Sequence, residues 1–281
     1  MKILITGANG MVARSVFRHC REMEDDVTAL TRQELDIAKR DQVSEVLRDT
    51  GPDAVINCAA YTDVDGSEAN RDECYAVNAA GVENLALASK EINCAFLTIS
   101  TDYVFGGEKS GCYDQRDTPD PIGYYGLAKY QGEVLARKAY ARTIIVRSGW
   151  IFGNGGTNFL STMHSFLDQG HSIKAIHDAF GTPTYSDDLA VRLRQLTELD
   201  LPLLYHVANS GNPVSFSDFA KEICRIRGLN EDLVRGISES DLERPAKRPK
   251  NSALSCLFSE RLGLPPLRTW NEALADYLPP A

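Results

Sequence analysis

A phenol and an ammonium stand four residues apart in Tyr125-Gly126-Leu127-Ala128-Lys129. On a helix, residues i and i+4 share a face, so the two groups would lie side by side. A free tyrosine hydroxyl titrates near ~10, and a neighbouring cation favours the phenolate and lowers that value. Such a phenol can exchange a proton with a carbonyl or alcohol oxygen near neutral pH. The spacing alone is common by chance and has to be weighed with its neighbours. Thr101, in Ser100-Thr101-Asp102-Tyr103-Val104-Phe105, closes an apolar run and can donate a hydrogen bond to a substrate carbonyl.

A second constellation lies at the N-terminus. Thr6-Gly7-Ala8-Asn9-Gly10-Met11-Val12-Ala13 follows a short apolar run and opens a helical pattern. Gly7 allows a tight turn, Gly10 allows close backbone approach to a pyrophosphate, and the small Ala13 lets helix and strand pack closely. The helix start supplies backbone N–H groups and positive dipole for phosphates. A dinucleotide site is therefore expected at Gly7, Asn9, Gly10 and Met11. The second strand ends at Ala29-Leu30-Thr31-Arg32, with no acid to hold a ribose diol. An Arg there suits a 2′-phosphate, so Arg32 favours NADPH, with NADH still open; its plain alternative is a solvated surface charge. Asp36 and Ile37 either reach the adenine or simply begin a helix.

These residues need a frame. Candidate strands at 2–6, 26–30, 53–58, 94–100 and 142–148 alternate with candidate helices at 10–23, 40–49, 73–91 and 124–140. The strands are nearly continuous apolar runs, as in sheets covered on both faces. The expected fold is α/β, a Rossmann-like doubly wound parallel sheet, with Thr101 at its carboxyl edge. Residues 1–150 form the expected dinucleotide-binding domain. Residues 151–281, with helical patterns at 157–169, 186–197 and 215–227, are expected to form mainly a smaller substrate-binding lobe. That boundary is soft, and the chain is free to cross between lobes.

Composition narrows the classes. The 281 residues carry 39 acidic and 30 basic side chains, a net charge of −9. Nucleic-acid binding needs a basic face, and none stands out. No run approaches the ~18 apolar residues of a membrane span. Seven cysteines occur without a Cys-x-x-Cys pair, which fits a reduced cytoplasmic protein. The five histidines show no metal-ligand spacing, so no metal site is expected.

The glycine turn, Thr101 and the Tyr/Lys pair occur in the order of the short-chain dehydrogenase/reductase superfamily, and the large C-terminal half resembles its extended branch. Asn57-Cys58-Ala59-Ala60-Tyr61-Thr62-Asp63-Val64-Asp65, Ser100–Phe105, Tyr125–Lys129, Arg147-Ser148-Gly149-Trp150-Ile151-Phe152-Gly153 and Phe180-Gly181-Thr182-Pro183-Thr184 together resemble the dTDP-4-dehydrorhamnose reductase family. Tyr205-His206-Val207-Ala208-Asn209 and Arg248-Pro249-Lys250-Asn251-Ser252 extend the similarity over nearly the whole chain. Departures stand at Ala13, where glycine is usual, and at Gly149, where a small polar residue is frequent. The second could alter substrate contacts beside Trp150. Some members bind magnesium at a dimer interface, but no acidic cluster here supports carrying that over.

The resemblance implies reduction of the C4 ketone of dTDP-4-dehydro-L-rhamnose to dTDP-L-rhamnose. NADPH would deliver hydride, Tyr125 would protonate the alkoxide, Lys129 would tune Tyr125 and hold the nicotinamide ribose, and Thr101 would orient the ketone. It also implies cofactor contacts from Ala59, Ala60, Tyr61 and Asn78, and substrate contacts from Asp102, Tyr103, Trp150 and Arg248. Trp150 could equally be a core aromatic, and Arg248 a surface charge. The implied partner is a nucleotide sugar, and a homodimer is left open. Three rivals share the frame. A 4,6-dehydratase carries Glu after the Asp, where Tyr103 stands here. A 4-epimerase needs little beyond Tyr and Lys. A regulatory subunit resembling the β subunit of methionine adenosyltransferase would bind the dinucleotide without turnover.

Overall fold

A computed structural model describes residues 1–278. Its centre is a six-stranded parallel sheet: β1 (Lys2–Thr6), β2 (Asp26–Leu30), β3 (Ala54–Asn57), β4 (Ala95–Thr101), β5 (Thr143–Ser148) and β6 (Leu204–His206). The order across the sheet is β6-β5-β4-β3-β1-β2. The order reverses between β1 and β3, and in such sheets the crevice beyond the strand ends at that point takes ligands.

The apolar strands are explained by cover on both faces. Side chains alternate across a strand. Ile3 and Ile5 of β1 accordingly join one buried cluster, while Leu4 joins another. The first cluster lies under α1 (Met11–Glu22) and α6 (Ser186–Leu199), with Val16, Cys20, Leu189, Leu193 and Leu196 inside it. The second lies under α2 (Arg40–Thr50), α3 (71–91) and α4 (Tyr124–Ala139), with Val43, Leu47, Leu85 and Ala136. The α3 helix runs through Arg71–Tyr75, a π-helical segment Ala76–Ala80, and Gly81–Glu91.

A smaller lobe has its own core of Phe152, Leu160, Met163, Phe219, Ile223 and Leu274. It is built from α5 (Phe159–Asp168), α7 (Phe216–Arg227), α8 (Trp270–Tyr277) and short strand pairs, among them Ile173–Ile176 with Val234–Ile237. Ser215 and Thr269 start α7 and α8 with reciprocal caps from Asp218 and Glu272, which satisfy otherwise orphaned N–H groups. Between these lobe segments the chain returns to the sheet. The α6 helix packs on α1, and β6 pairs with β5 in register Leu204↔Ile145 to His206↔Arg147. That sixth strand, three residues long, was not among the candidate strands.

Candidate active site

The glycine turn sits at the reversal of strand order. Gly7 has φ +72°, and a Cβ there would lie 2.8 Å from the backbone of Ala59, beyond β3. Only a residue without Cβ lets the two strand ends close so tightly. Thr6 Oγ donates to Asn57 Oδ1 at 2.6 Å, Asn57 Nδ2 donates to Thr98 Oγ at 3.0 Å, and Ala59 N donates to Asn57 Oδ1 at 3.1 Å. This buried ladder locks the ends of β1, β3 and β4 together. Gly10 precedes α1 and gives it no side-chain cap, so the first N–H groups of a 12-residue helix face the turn. Met11 lies under the Gly153–Gly156 loop, with Ser161 Oγ 3.7 Å from its sulfur.

At the end of β2, a cleft of about 420 Å³ is lined by Asn9, Arg32, Gln33, Asp36, Lys39 and Gln42. Arg32 is exposed and reaches Glu73 at 3.1 Å. Lys39 places a second cation in the cleft; the loop 31–39 brings it there, and no local motif announces it. Asp36 accepts from Ala38 N at 3.1 Å within that loop. The side chain of Ile37 turns into the core beside Gly81, leaving its carbonyl to accept from Asn84 at 3.0 Å.

The loop of Ala59, Ala60 and Tyr61 is held by Asn78. This buried side chain accepts from Tyr61 N and donates to Tyr61 O, both at 2.9 Å. Asn78 therefore bears on the site through the Tyr61 backbone. It lies in the π segment of α3, and single π turns often mark functional sites. Gly132 of α4 presses on the same segment, where an added Cβ would stand 2.1 Å from Asn78 O. Gly126 is equally constrained: an added Cβ there would stand 2.2 Å from Tyr103 O.

Tyr125, Lys129 and Thr101 come together at the carboxyl end of β4. Thr101 also starts a short 3-10 turn (Asp102–Val104), accepting from Tyr103 N at 3.2 Å. Removal from water pushes the Tyr125 phenol above its usual range, and hydrogen bonding with Thr101 opposes this. The expected lowering by Lys129 is not what acts on it. The Lys129 ammonium is buried and donates instead to Ile99 O at 2.7 Å. Burial brings Lys129 down to about 8, against the opposite pull of Glu133, Cys74 and Cys58. Desolvation thus dominates both members of the pair.

Asp102 is buried, with Oδ1 accepting from Thr101 Oγ at 3.1 Å and Oδ2 without a hydrogen-bond partner among the described residues. Burial pushes its carboxyl up to about 6, against the pull of the Ser252 and Thr101 hydroxyls. A Cβ at position 149 would lie 2.1 Å from Asp102 Cγ, so Gly149 is what makes room for this carboxyl. Tyr103 meets Tyr125 edge-on, with ring centroids 6.2 Å apart. Trp150 has φ +49°, stacks on Phe216 at 3.8 Å and donates from Nε1 to Ser252 Oγ at 3.2 Å. A non-glycine residue in this region stores strain, which clusters at functional sites. Arg248 is not a free surface charge: it clamps Asp65 with contacts of 2.5 and 2.7 Å. Asp65 and Ser252 lie within the motifs that carry the family resemblance, yet their pairings depend on contacts across more than a hundred residues.

The whole chain, residues 1–281, matches the family described as RmlD substrate binding domain. The spore coat polysaccharide biosynthesis protein SpsK of Bacillus subtilis is 36% identical, over 99% of this chain and 96% of its own length. The dTDP-4-dehydrorhamnose reductase of Mycolicibacterium smegmatis is 37% identical, over 98% of this chain and 84% of its own. Among solved structures, dTDP-4-dehydrorhamnose reductase from Bacillus anthracis in complex with NADP superposes with TM-score 0.93 at 35% identity, covering 99% of both chains.

Proposed function

The chain belongs to the RmlD substrate binding domain family, and from that premise we propose that it reduces the C4 ketone of dTDP-4-dehydro-L-rhamnose with NADPH, giving dTDP-L-rhamnose. Its similarity to named dTDP-4-dehydrorhamnose reductases, one of them solved with NADP, supports the substrate and the cofactor. The observation that carries the reading is the meeting of Tyr125, Thr101 and Lys129 at one strand end, beside the turn at Gly7.

The residues present fit a dinucleotide. The cradle that a Cβ on Gly7 would fill, together with the uncapped start of α1, would take the pyrophosphate. Arg32 and Lys39 would hold a 2′-phosphate in the cleft after β2. The bound cofactor supplies hydride to the carbonyl carbon. Thr101 orients the carbonyl oxygen by its hydroxyl. Tyr125 carries its proton at neutral pH, held more firmly by burial, and gives that proton to the developing alkoxide. Lys129, its ammonium held by Ile99 O, would hold the nicotinamide ribose from beneath the site. Asp102 and Tyr103 line the sugar pocket, and Trp150 offers it a ring face. Arg248 pairs with the substrate diphosphate, which requires it to share or leave Asp65. The seven free thiols are in keeping with a reducing cytoplasm.

The test is a panel of 4-keto nucleotide sugars with NADPH and NADH, following cofactor oxidation. Fastest turnover is expected for the dTDP-6-deoxy-4-keto sugar with NADPH. The reading fails if no member of the panel oxidises the cofactor, or if purified protein interconverts 4-epimers on a retained dinucleotide without net oxidation.

A further inference from the structure

One turn beyond Lys129 on the same face of α4 stands Glu133, buried at 4% exposure. Arg147 donates to it twice, Nε to Oε1 at 2.9 Å and a terminal nitrogen to Oε2 at 2.6 Å. Ser100 Oγ adds a third contact to Oε1 at 2.5 Å. Ser100 and Arg147 face each other in register on β4 and β5. A single carboxylate thus ties the helix bearing Tyr125 and Lys129 to two strands, one residue before Thr101. Taking an ion pair out of water is costly, and apolar residues often fill such a place without loss of stability. The cluster therefore calls for a reason besides stability.

Its neighbour supplies one. The groups acting on the Lys129 ammonium are Glu133 on its own helix, Cys74 from Arg71–Tyr75 and Cys58 beyond β3. Burial raises both thiols, so they are uncharged at neutral pH and Glu133 is the anion of the set. Arg147 approaches from β5 on the far side of Glu133, with its guanidinium over the Phe105 ring at 5.1 Å.

We propose that Glu133 is a positioning residue for the reduction: it fixes the helix of Tyr125 and Lys129 against the strand of Thr101 and keeps the proton on Lys129. The proposal rests on the reductase reading for its function, though its physical core does not need a substrate to be tested. The full chain, labelled with carbon-13 at lysine Cε, reports the titration of Lys129 directly, its resonance assigned by loss in Lys129→Met. In Glu133→Gln the Lys129 midpoint is expected to fall by about one pH unit, and the alkaline decline of kcat/KM to move down with it. The double variant Glu133→Gln, Arg147→Gln removes the buried pair as a unit and serves if the single variant does not fold; it is expected to shift the midpoint the same way. Ser100→Ala breaks one contact and removes no charge, so its midpoint stays at the parent value. A midpoint unmoved in both Glu133 variants makes the residue mere scaffold and overturns the proposal. A shifted midpoint in a chain that reduces no 4-keto sugar would fail the reductase reading while upholding the hold of Glu133 on Lys129.

Discussion

The Tyr125 phenol carries its proton at neutral pH, and removal from water holds that proton still more firmly; a protonated phenol is the form that ketone reduction consumes. Tyr125→Phe is therefore expected to lower kcat by ~10²–10⁴-fold, with NADPH affinity in a fluorescence titration nearly unchanged; reduction near the parent rate would sink this role. The cleft after β2 makes a separate prediction. Arg32→Ala combined with Lys39→Ala removes both of its cations, which should weaken NADPH by about tenfold or more while leaving NADH as it was. Equal losses for both cofactors would contradict it. Tyr125, Lys129 and Thr101 could be picked out in the sequence because their chemistry is written in short strings. Lys39 could not, since its place depends on how a loop folds back. Nor could the direction of the Lys129 ammonium, which the pairing with Ile99 O decides.

At the scale of elements, the long helices and inner strands were legible because each buries a face of regular period. The π segment of α3 was not, since one wide turn leaves no mark on an apolar pattern. It matters because α4 rests against it through Gly132. Gly132→Ala forces a methyl group against Asn78 O. We expect a loss of ~1–3 kcal/mol in urea unfolding, with weaker cofactor binding as Asn78 loosens its grip on Tyr61. A fully stable variant with unchanged affinity would show that the helices can part freely. Gly149 was legible only as a departure from the family pattern, and its meaning came from Asp102 filling the space of the missing side chain.

At the scale of the molecule, the doubly wound sheet followed from alternating apolar runs, but its sixth strand escaped notice. Three residues carry too little period to register, and Leu204–His206 is recognisable only beside β5. That edge carries a pH liability. His206 is buried, with Nδ1 lying 3.1 and 3.0 Å from the carbonyl oxygens of Tyr113 and Ser255 and Nε2 without a hydrogen-bond partner among the described residues. Burial and the Arg147 charge bring its imidazole down to about 4. A group depressed on folding binds its proton more readily when unfolded. The stability it contributes is therefore full above the unfolded value near ~6.5 and drains away as pH falls toward 4. Urea midpoints measured from pH 7.5 to 5 should decline, and His206→Gln should flatten that decline. An identical slope in the variant would assign the acid sensitivity elsewhere.

The return of the chain to the sheet between the two stretches of the smaller lobe also bears on recombination. A chimera joined once, near residue 150, would take α6 and β6 from the donor along with the smaller lobe. The cluster of Val16, Cys20, Leu189 and Leu193 would then be assembled from two parents. Exchanging the smaller lobe between relatives therefore requires the segment around 186–206 to stay with the sheet, which takes three junctions, near residues 150, 186 and 206.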